Sequence, residues 1–350
     1  MKQNGSTQRI GYLDMVRGFA TFLVIWGHAI QFGGSEADFF ENKLFTYIYS
    51  FHMPVFLLIS GFLFSKSIHR RNFAENLKNK TLRIAVPAVV WGCIYCIVKW
   101  IVETLLGNPA ADFSIALCIE EIGNIWFLWT IFMCMVAVMI ADKIGRDRFF
   151  PPMLILCMIA FYFLPFRDYT LFLFPFFVVG YYAQKNAFCK FKSWACILLL
   201  LYPLLLQYYG TKHYIYVSGI DILSSDYGIW QQAGIDLFRW LVGFAGCMVV
   251  IIAAKLFTEK YPDSRLERLF CAIGKYSLEI YVMGRILEDY LGSKFMWKLV
   301  NKFSFLTNDL IYTYVYTFIC SIIFVFILYH IADLLSKAKV MIMKNVGKVR

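Results

Sequence analysis

Arg17 and His28 are two ionisable residues in the first long apolar segment of the sequence, eleven positions apart. Eleven residues of an α-helix turn through roughly 1100°, close to three full turns, and rise by about 16 Å. Both side chains are therefore predicted to leave one face of one helix without touching. A neutral histidine can take a proton near pH 7 and an arginine can bind an anion, so these residue types could serve proton transfer and anion binding in one shared cavity. Asp14 lies near the same face, where it could pair with Arg17 or contact substrate.

Taken one at a time, these residues also allow structural interpretations. Arg17 could be a snorkelling residue at the end of its helix, and His28 could be a hydrogen-bonded packing residue. An ionisable group at membrane depth costs at least ~2.5–3.5 kcal/mol, so two of them on one face favour a functional site.

The second long apolar segment carries His52 and Ser60 on either side of Pro54. Proline has no backbone N–H, so the carbonyl one turn earlier, near Ser50, is left to accept a hydrogen bond from a ligand or from His52. His52 and Ser60 are therefore candidate substrate-binding residues. Pro54 could also mark only a kink, and Ser60-Gly61 only a close helix contact.

The strongest basic cluster of the chain follows directly after this segment. Its members are Lys66, Arg70, Arg71, Lys78, Lys80 and Arg83. Such a cluster fits the phosphates of a nucleotide cofactor. Contact with anionic lipid headgroups is the alternative.

The elements that must position these residues are membrane helices. Of the 350 residues, 60% are hydrophobic and only 16% are charged, with a mean hydropathy of +0.62, whereas soluble domains carry about 25% charged residues. Apolar runs of about 18 or more residues recur along the chain, and each is long enough to cross the hydrocarbon core as a helix. The net charge of +11 comes from short segments between these runs, which favours the positive-inside rule over nucleic-acid binding.

Most of the ten cysteines lie within apolar runs, where free cysteine behaves as a small hydrophobic residue. Cys93 and Cys96 form a C-x-x-C pair in one such run and are interpreted as packing residues. Neither a disulfide framework nor a metal site is expected.

The sequence predicts one all-α domain over residues 1–350, a polytopic membrane bundle of about ten transmembrane helices. The predicted spans are 11–32, 44–65, 83–106, 122–141, 151–166, 168–186, 192–209, 234–257, 270–290 and 310–333. The segments that would then face the cytoplasm carry 22 lysines and arginines, counted with Lys185, Lys192 and Lys255 at the adjoining span ends, and the outer segments carry six. Both termini are therefore predicted to be cytoplasmic.

A set of short motifs runs in order from the first predicted helix to the ninth. The motifs are Asp14-x-x-Arg17-Gly18, Phe51-His-Met-Pro-Val-Phe-Leu-Leu-Ile-Ser-Gly-Phe62, Arg83-Ile-Ala-Val-Pro87, Trp126-Phe-Leu, Phe174-Pro-Phe-Phe-Val-Val-Gly-Tyr181 and Gly274-Lys-Tyr-Ser-Leu-Glu-Ile-Tyr281. Through these motifs and the spacing of Arg17 and His28, the sequence resembles the acyltransferase-3 membrane acyltransferases, particularly their fucose 4-O-acetylase-like branch.

The resemblance implies that acyl-CoA, such as acetyl-CoA, enters from the cytoplasm as a co-substrate and that a hydroxyl of a carbohydrate or lipid-linked sugar precursor is acylated. It implies that His28 is the general base and that Arg17, with the basic cluster, holds the donor. Lys80 and Arg83 stand where members carry a donor-binding arginine pair, and the lysine loses the bidentate phosphate geometry. The sequence departs again at Arg285, close to a position where many members have a histidine, and Arg285 could be a replacement polar contact.

A carboxylate that orients the imidazole would help His28 to take a proton. Glu36, Asp38 and Glu41 in the first outer loop could reach it, and Glu36 is preferred because it is nearest in sequence. Trp126, in the Trp-Phe-Leu motif, is assigned to substrate binding.

The predicted protein is thus a multi-pass enzyme of the bacterial cytoplasmic membrane whose partners are acyl-CoA, a carbohydrate acceptor and membrane lipids, with no metal and no nucleic acid. Two other functions stay open. A transporter or flippase could use Arg17, Arg239, Glu279 and Arg285 in a substrate path, and would move a solute without consuming acyl-CoA. The second is an acyltransferase with a non-sugar acceptor, such as an amine or peptide, and the sequence contains no residue that separates it from one that acts on sugars.

Overall fold

The computed structural model describes residues 11–34, 39–108, 113–145, 150–183, 195–220 and 227–348. In this part of the chain every regular element is helical and no residue lies in a strand, which confirms the predicted all-α class. The longer helices, numbered in chain order, are α1 (Gly11–Phe32), α2 (Lys43–Ser65), α3 (Phe73–Lys80), α4 (Val86–Leu105), α5 (Ile115–Gly123), α6 (Trp126–Gly145), α7 (Phe150–Phe161), α8 (Arg167–Tyr182), α9 (Ala195–Leu206), α10 (Ile229–Lys260), α11 (Arg265–Lys275), α12 (Ser277–Gly284), α13 (Ser293–Lys302) and α14 (Thr317–Lys348).

Six helical stretches among the described residues are long and apolar enough to cross a membrane, so the chain is a multi-pass membrane protein. They are Gly11–Phe32, Lys43–Arg70, Phe73–Leu105, Trp126–Gly145, Ile229–Lys260 and Asp309–Lys339. The third begins well before the predicted span 83–106 because a π-helical turn at Thr81–Ala85 joins α3 to α4 without a break.

The other predicted spans correspond to shorter helices. Helices α7 and α9 have 12 residues each, and α8 has 16, while a straight crossing needs about 17–25 residues. The predicted span 270–290 is divided, since α11 ends at Lys275, α12 ends at Gly284 and a π-helical segment covers Arg285–Gly292. The count of about ten crossings therefore stays a prediction.

Helices α1 and α2 form the centre of the bundle, with α2 packed most extensively against α8 and α1 against α11. Glycines permit this close approach: a Cβ on Gly18 would lie 1.8 Å from the Phe270 carbonyl oxygen, and one on Gly61 would lie 2.0 Å from that of Phe177. These helix pairs therefore pack backbone to backbone, as small residues allow in membrane bundles. The Gly18 contact also brings Arg17 to the start of α12.

Candidate active site

Two adjoining cavities lie along α1, one lined by Arg17 and one lined by His28. The Arg17 cavity has a volume of about 180 Å³ and the His28 cavity about 330 Å³. Val24, Met53 and Tyr281 line both, so the two spaces meet at these three side chains. Arg17 and His28 therefore line adjoining spaces from one helix.

The Arg17 guanidinium is held at the start of α12. Its Nη2 donates to Ser277 Oγ at 2.9 Å, and its Nη1 lies 3.9 Å from Asp14 Oδ1. Ser60 lines the same cavity, whereas Asp14 lines neither of the two cavities. Most of the other lining side chains are apolar. One fixed positive group thus lies beside an apolar space, an arrangement that suits an anionic ligand with a long apolar chain.

His28 is paired with a carboxylate that is distant in sequence. Its Nδ1 lies 2.9 Å from Asp289 Oδ1. A carboxylate only accepts hydrogen bonds, so Nδ1 carries a proton, and in the neutral ring the lone pair is then on Nε2. Asp289 is 5% exposed, and its second oxygen accepts a hydrogen bond from Arg285 Nη1 at 3.2 Å. Asp289 therefore fixes the ring in an orientation from which the Nε2 of the neutral form can act as a base.

A chain of charged groups continues from Asp289 to α4. Arg285 Nη2 lies 4.0 Å from Glu121 Oε2, and Lys99 Nζ donates to Glu121 Oε1 at 2.7 Å. Glu121 is buried in α5. Pairing on both sides offsets the cost of removing this carboxylate from water. The chain holds Arg285 in place, and Arg285 in turn holds Asp289.

Glu288 lies next to Asp289 and is only 2% exposed. Neither of its carboxyl oxygens has a hydrogen-bond partner. In the described part of the chain, single ligand atoms of His28, Glu288 and Asp289 lie within 4.8 Å of one another, so this group could hold a metal ion. A metal there would occupy the carboxylate that orients His28. Burial without a partner favours an uncharged Glu288 side chain.

The His28 cavity is lined mainly by aromatic rings. They are Phe32, Tyr49, Trp126, Tyr169, Phe172, Tyr209, Tyr214, Tyr216 and Tyr281. The rings of Trp126 and Tyr169 stack with centroids 4.2 Å apart. His52 also lines the cavity, and its Nδ1 lies 2.8 Å from the Ile48 carbonyl oxygen, to which it donates. Flat ring faces with a few hydrogen-bonding groups can bind a carbohydrate, whose own faces are partly apolar.

Arg239 fixes the segment that forms one wall of this cavity. Its Nε donates to the His213 carbonyl at 2.8 Å, and its Nη1 donates to the Gly219 carbonyl at 3.0 Å and to Asp236 Oδ1 at 3.1 Å. It also donates to Ser218 Oγ. Arg239 is therefore engaged in holding protein backbone, which argues against its use in a transport path.

His213, in that wall segment, stays neutral near pH 7. Burial, together with the charge of Lys212, lowers the pKa of His213 from 6.5 to about 4. Its uncharged Nδ1 accepts a hydrogen bond from the Gly210 N–H at 2.9 Å. The segment should therefore keep its structure across the physiological pH range.

The residues of the basic cluster are spread over the surface beside the Arg17 cavity. Ile84 lines that cavity, whereas Arg83, its neighbour in sequence, lines neither of the two cavities. Arg70 and Arg83 are exposed, and Lys80 Nζ lies over the Phe64 ring, 5.0 Å from its centroid. Arg71 lines a separate recess of about 480 Å³. The structure therefore does not gather the predicted donor-binding residues into one pocket.

Sequence reasoning missed Asp289 and Glu121. The available signal was the spacing of Arg285 and Asp289, four residues apart in a predicted membrane helix, which allows an ion pair on one helix face. Glu36, predicted to orient His28, lies outside the described residues, as does Asp38.

Comparison with known proteins adds to this geometry. The sequence matches the family described as an acyltransferase domain, acyltransferase-3, over residues 10–330. It is 25% identical to the nodulation protein NolL of Mesorhizobium japonicum over 324 residues, which cover 87% of this chain and 84% of that protein. It is 30% identical to the NolL of Sinorhizobium fredii over 132 residues, which cover 36% of this chain and 35% of that protein. No solved structure matches.

Proposed function

The chain belongs to the acyltransferase family that its sequence matches from residue 10 to residue 330, and on that premise we propose that it transfers an acetyl or other short acyl group from acyl-CoA to a carbohydrate hydroxyl. The acceptor is a cell-surface carbohydrate or a lipid-linked sugar precursor. The observation that supports this most is the pairing of His28 with Asp289 at 2.9 Å in an aromatic cavity that adjoins the Arg17 cavity.

The proposed reaction needs one general base. A sugar hydroxyl is a weak nucleophile, and His28 Nε2 takes its proton while the hydroxyl oxygen attacks the thioester carbonyl carbon. A C–O bond forms, the C–S bond then breaks, and the proton passes from the imidazolium to the departing CoA thiolate. Asp289 orients the ring and stabilises the positive charge that the ring carries between these two proton transfers.

The donor is proposed to occupy the Arg17 cavity. Arg17 lies roughly 16 Å from His28 along α1, a separation that a long flexible cofactor arm can span. The phosphates would stay near Arg17, the exposed side chains of Arg70, Arg71 and Arg83, and the half-buried Lys80. The acyl group would pass Val24, Met53 and Tyr281 to reach His28.

The acceptor is proposed to occupy the His28 cavity. One sugar face would stack on the Trp126 and Tyr169 pair, and the polar edge would meet His52, Gln31 and Asn124, which also line the cavity. The aromatic lining favours a sugar over an amine or peptide acceptor. It agrees with assignment to the fucose 4-O-acetylase-like branch, which we also propose.

We further propose the finer topology of about ten crossings with both termini in the cytoplasm of a bacterium. It is supported by the distribution of 22 against six basic residues. In this orientation the Arg17 end of α1 faces the cytoplasm, where acyl-CoA is made, and anionic lipid headgroups contact the same basic face.

Acyl transfer can be tested directly with protein purified into lipid nanodiscs. Labelled acetyl-CoA and a surface-glycan fraction of the host are incubated with wild type or with His28→Ala, and the glycans are analysed by mass spectrometry. We expect an acetyl group on glycans from the wild-type reaction alone. Movement of a solute by the purified protein with no consumption of acyl-CoA would favour a transporter instead.

A further inference from the structure

Cys96 of α4 and Cys118 of α5 lie side by side. Their sulfur atoms are 2.8 Å apart, well inside the ~3.5–4.0 Å at which non-bonded heavy atoms attract best. Cys96 is fully buried and Cys118 is half-buried. Cys93, the other member of the C-x-x-C pair, makes no such contact with a cysteine among the described residues.

Helices α4 and α5 pack closely against each other around these two cysteines. A Cβ on Gly92 would lie 2.6 Å from the Ile122 Cα, so the backbones approach closely one turn below the cysteines. Lys99, about one turn beyond Cys96 in α4, reaches back to Glu121, the neighbour of Ile122 in α5, and its Nζ lies 2.7 Å from the Glu121 carboxylate. A steric contact and an ion pair thus both hold α4 against α5 close to the sulfur contact.

We propose that Cys96 and Cys118 form a disulfide in the mature protein. The proposal rests on the orientation proposed above, which places the C-terminal end of α4 and the start of α5 on the outer side of the membrane. Disulfides persist in the bacterial envelope, whereas cytoplasmic thiols are kept reduced. Cys118 is the thiol that an oxidant can reach, because it is partly exposed and lies in the first turn of α5, near that side of the membrane.

The oxidant is the disulfide of an envelope thiol oxidoreductase. The Cys118 thiolate attacks that disulfide and forms a mixed disulfide, and the Cys96 thiolate then displaces the oxidoreductase sulfur. One S–S bond forms in this protein and one breaks in the oxidoreductase. The two thiol protons and two electrons end on the two thiols of the oxidoreductase.

The bond would fix part of the candidate active site. Helix α5 carries Glu121, which contacts Arg285, and leads through Asn124 into Trp126 of the His28 cavity. A covalent link at Cys118 keeps this helix in register with α4. No disulfide framework is expected from the sequence, because most cysteines lie within apolar runs; Cys118 lies 22 positions from Cys96, and the fold brings the two together.

The linkage can be mapped in protein from its native host. Cells are treated with a membrane-permeant maleimide before lysis, and the protein is digested without reduction and analysed by mass spectrometry. We expect a linked peptide pair containing Cys96 and Cys118 as the dominant form, with Cys93 alkylated. Maleimide on both Cys96 and Cys118 in most molecules would overturn the proposal.

Variants give a second readout. Cys118→Ser, and wild type after reduction, should each unfold at a midpoint several degrees lower than oxidised wild type, while Cys93→Ser should match wild type. If Cys118→Ser does not accumulate, the proposal is decided by the peptide map and by the unfolding midpoint of reduced wild type. Acyl transfer is measured separately, so free thiols in an active enzyme would refute the disulfide alone, and a linked peptide in an inactive protein would refute the acyltransferase function alone.

Discussion

Replacing Asp289 by asparagine should remove most of the activity without removing much of the structure. Asparagine keeps the size of the side chain but can donate its amide N–H to His28 Nδ1, which favours the tautomer with the proton on Nε2. That tautomer cannot accept the hydroxyl proton. Loss of a correctly oriented base lowers kcat by about 10²–10⁴-fold, which corresponds to about 3–5 kcal/mol of transition-state stabilisation.

The assay compares acyl transfer and acyl-CoA binding on the same purified variants. Asp289→Asn, His28→Ala and the double variant should show similar rates, because residues that act as a unit are not additive. Glu288→Gln is the matched control: it is the adjacent carboxyl, has no hydrogen-bond partner, and should stay within a few-fold of wild type. A folded Asp289→Asn protein with near-normal kcat, or a Glu288→Gln protein as inactive as His28→Ala, would refute the assignment of the dyad.

Four further outcomes follow from the cavities and the packing. Arg17→Ala should weaken acyl-CoA binding measured by calorimetry, and Arg17→Lys should restore it only in part, because the planar fork is lost. Trp126→Ala should raise the KM for the acceptor by roughly tenfold with little change in donor binding, since a stacked aromatic pair contributes about 1 kcal/mol beyond its buried area. Gly18→Leu should prevent accumulation of folded protein, judged by size-exclusion chromatography, whereas an unchanged elution profile would contradict the backbone contact. Lys80→Ala with Arg83→Ala should raise the donor KM at low salt, and the difference from wild type should narrow at high salt because exposed charges are screened; loss of protein level alone would instead indicate a role in topology.

The local part of the site could be predicted because it depends on one helix. The angular relation of Arg17 and His28 follows from helix geometry alone, and both residues line adjoining cavities in the structure. The all-helical fold could also be predicted, because the composition indicates a membrane protein and a helix satisfies its own backbone hydrogen bonds in lipid.

The partners of these residues could not be predicted, because they are brought together only by tertiary packing. Asp289 lies 261 positions from His28, and Ser277 lies 260 positions from Arg17. The π-helical winding of Arg285–Gly292 also changes which side chains share a face, so a regular helix drawn through 270–290 gives the wrong neighbours. Glu36 is preferred as the carboxylate that orients His28 only because it is close in sequence, and closeness in sequence carries little information about closeness in space.

The meeting of the two cavities at Val24, Met53 and Tyr281 has a consequence for the order of events in the proposed reaction. Donor and acceptor approach from separate spaces, so neither needs to leave before the other binds, and both must be present for transfer. Steady-state kinetics should therefore show intersecting reciprocal plots and not the parallel lines of a ping-pong enzyme. CoA should compete with acyl-CoA but not with the sugar, because each product leaves through the space in which its own precursor was bound.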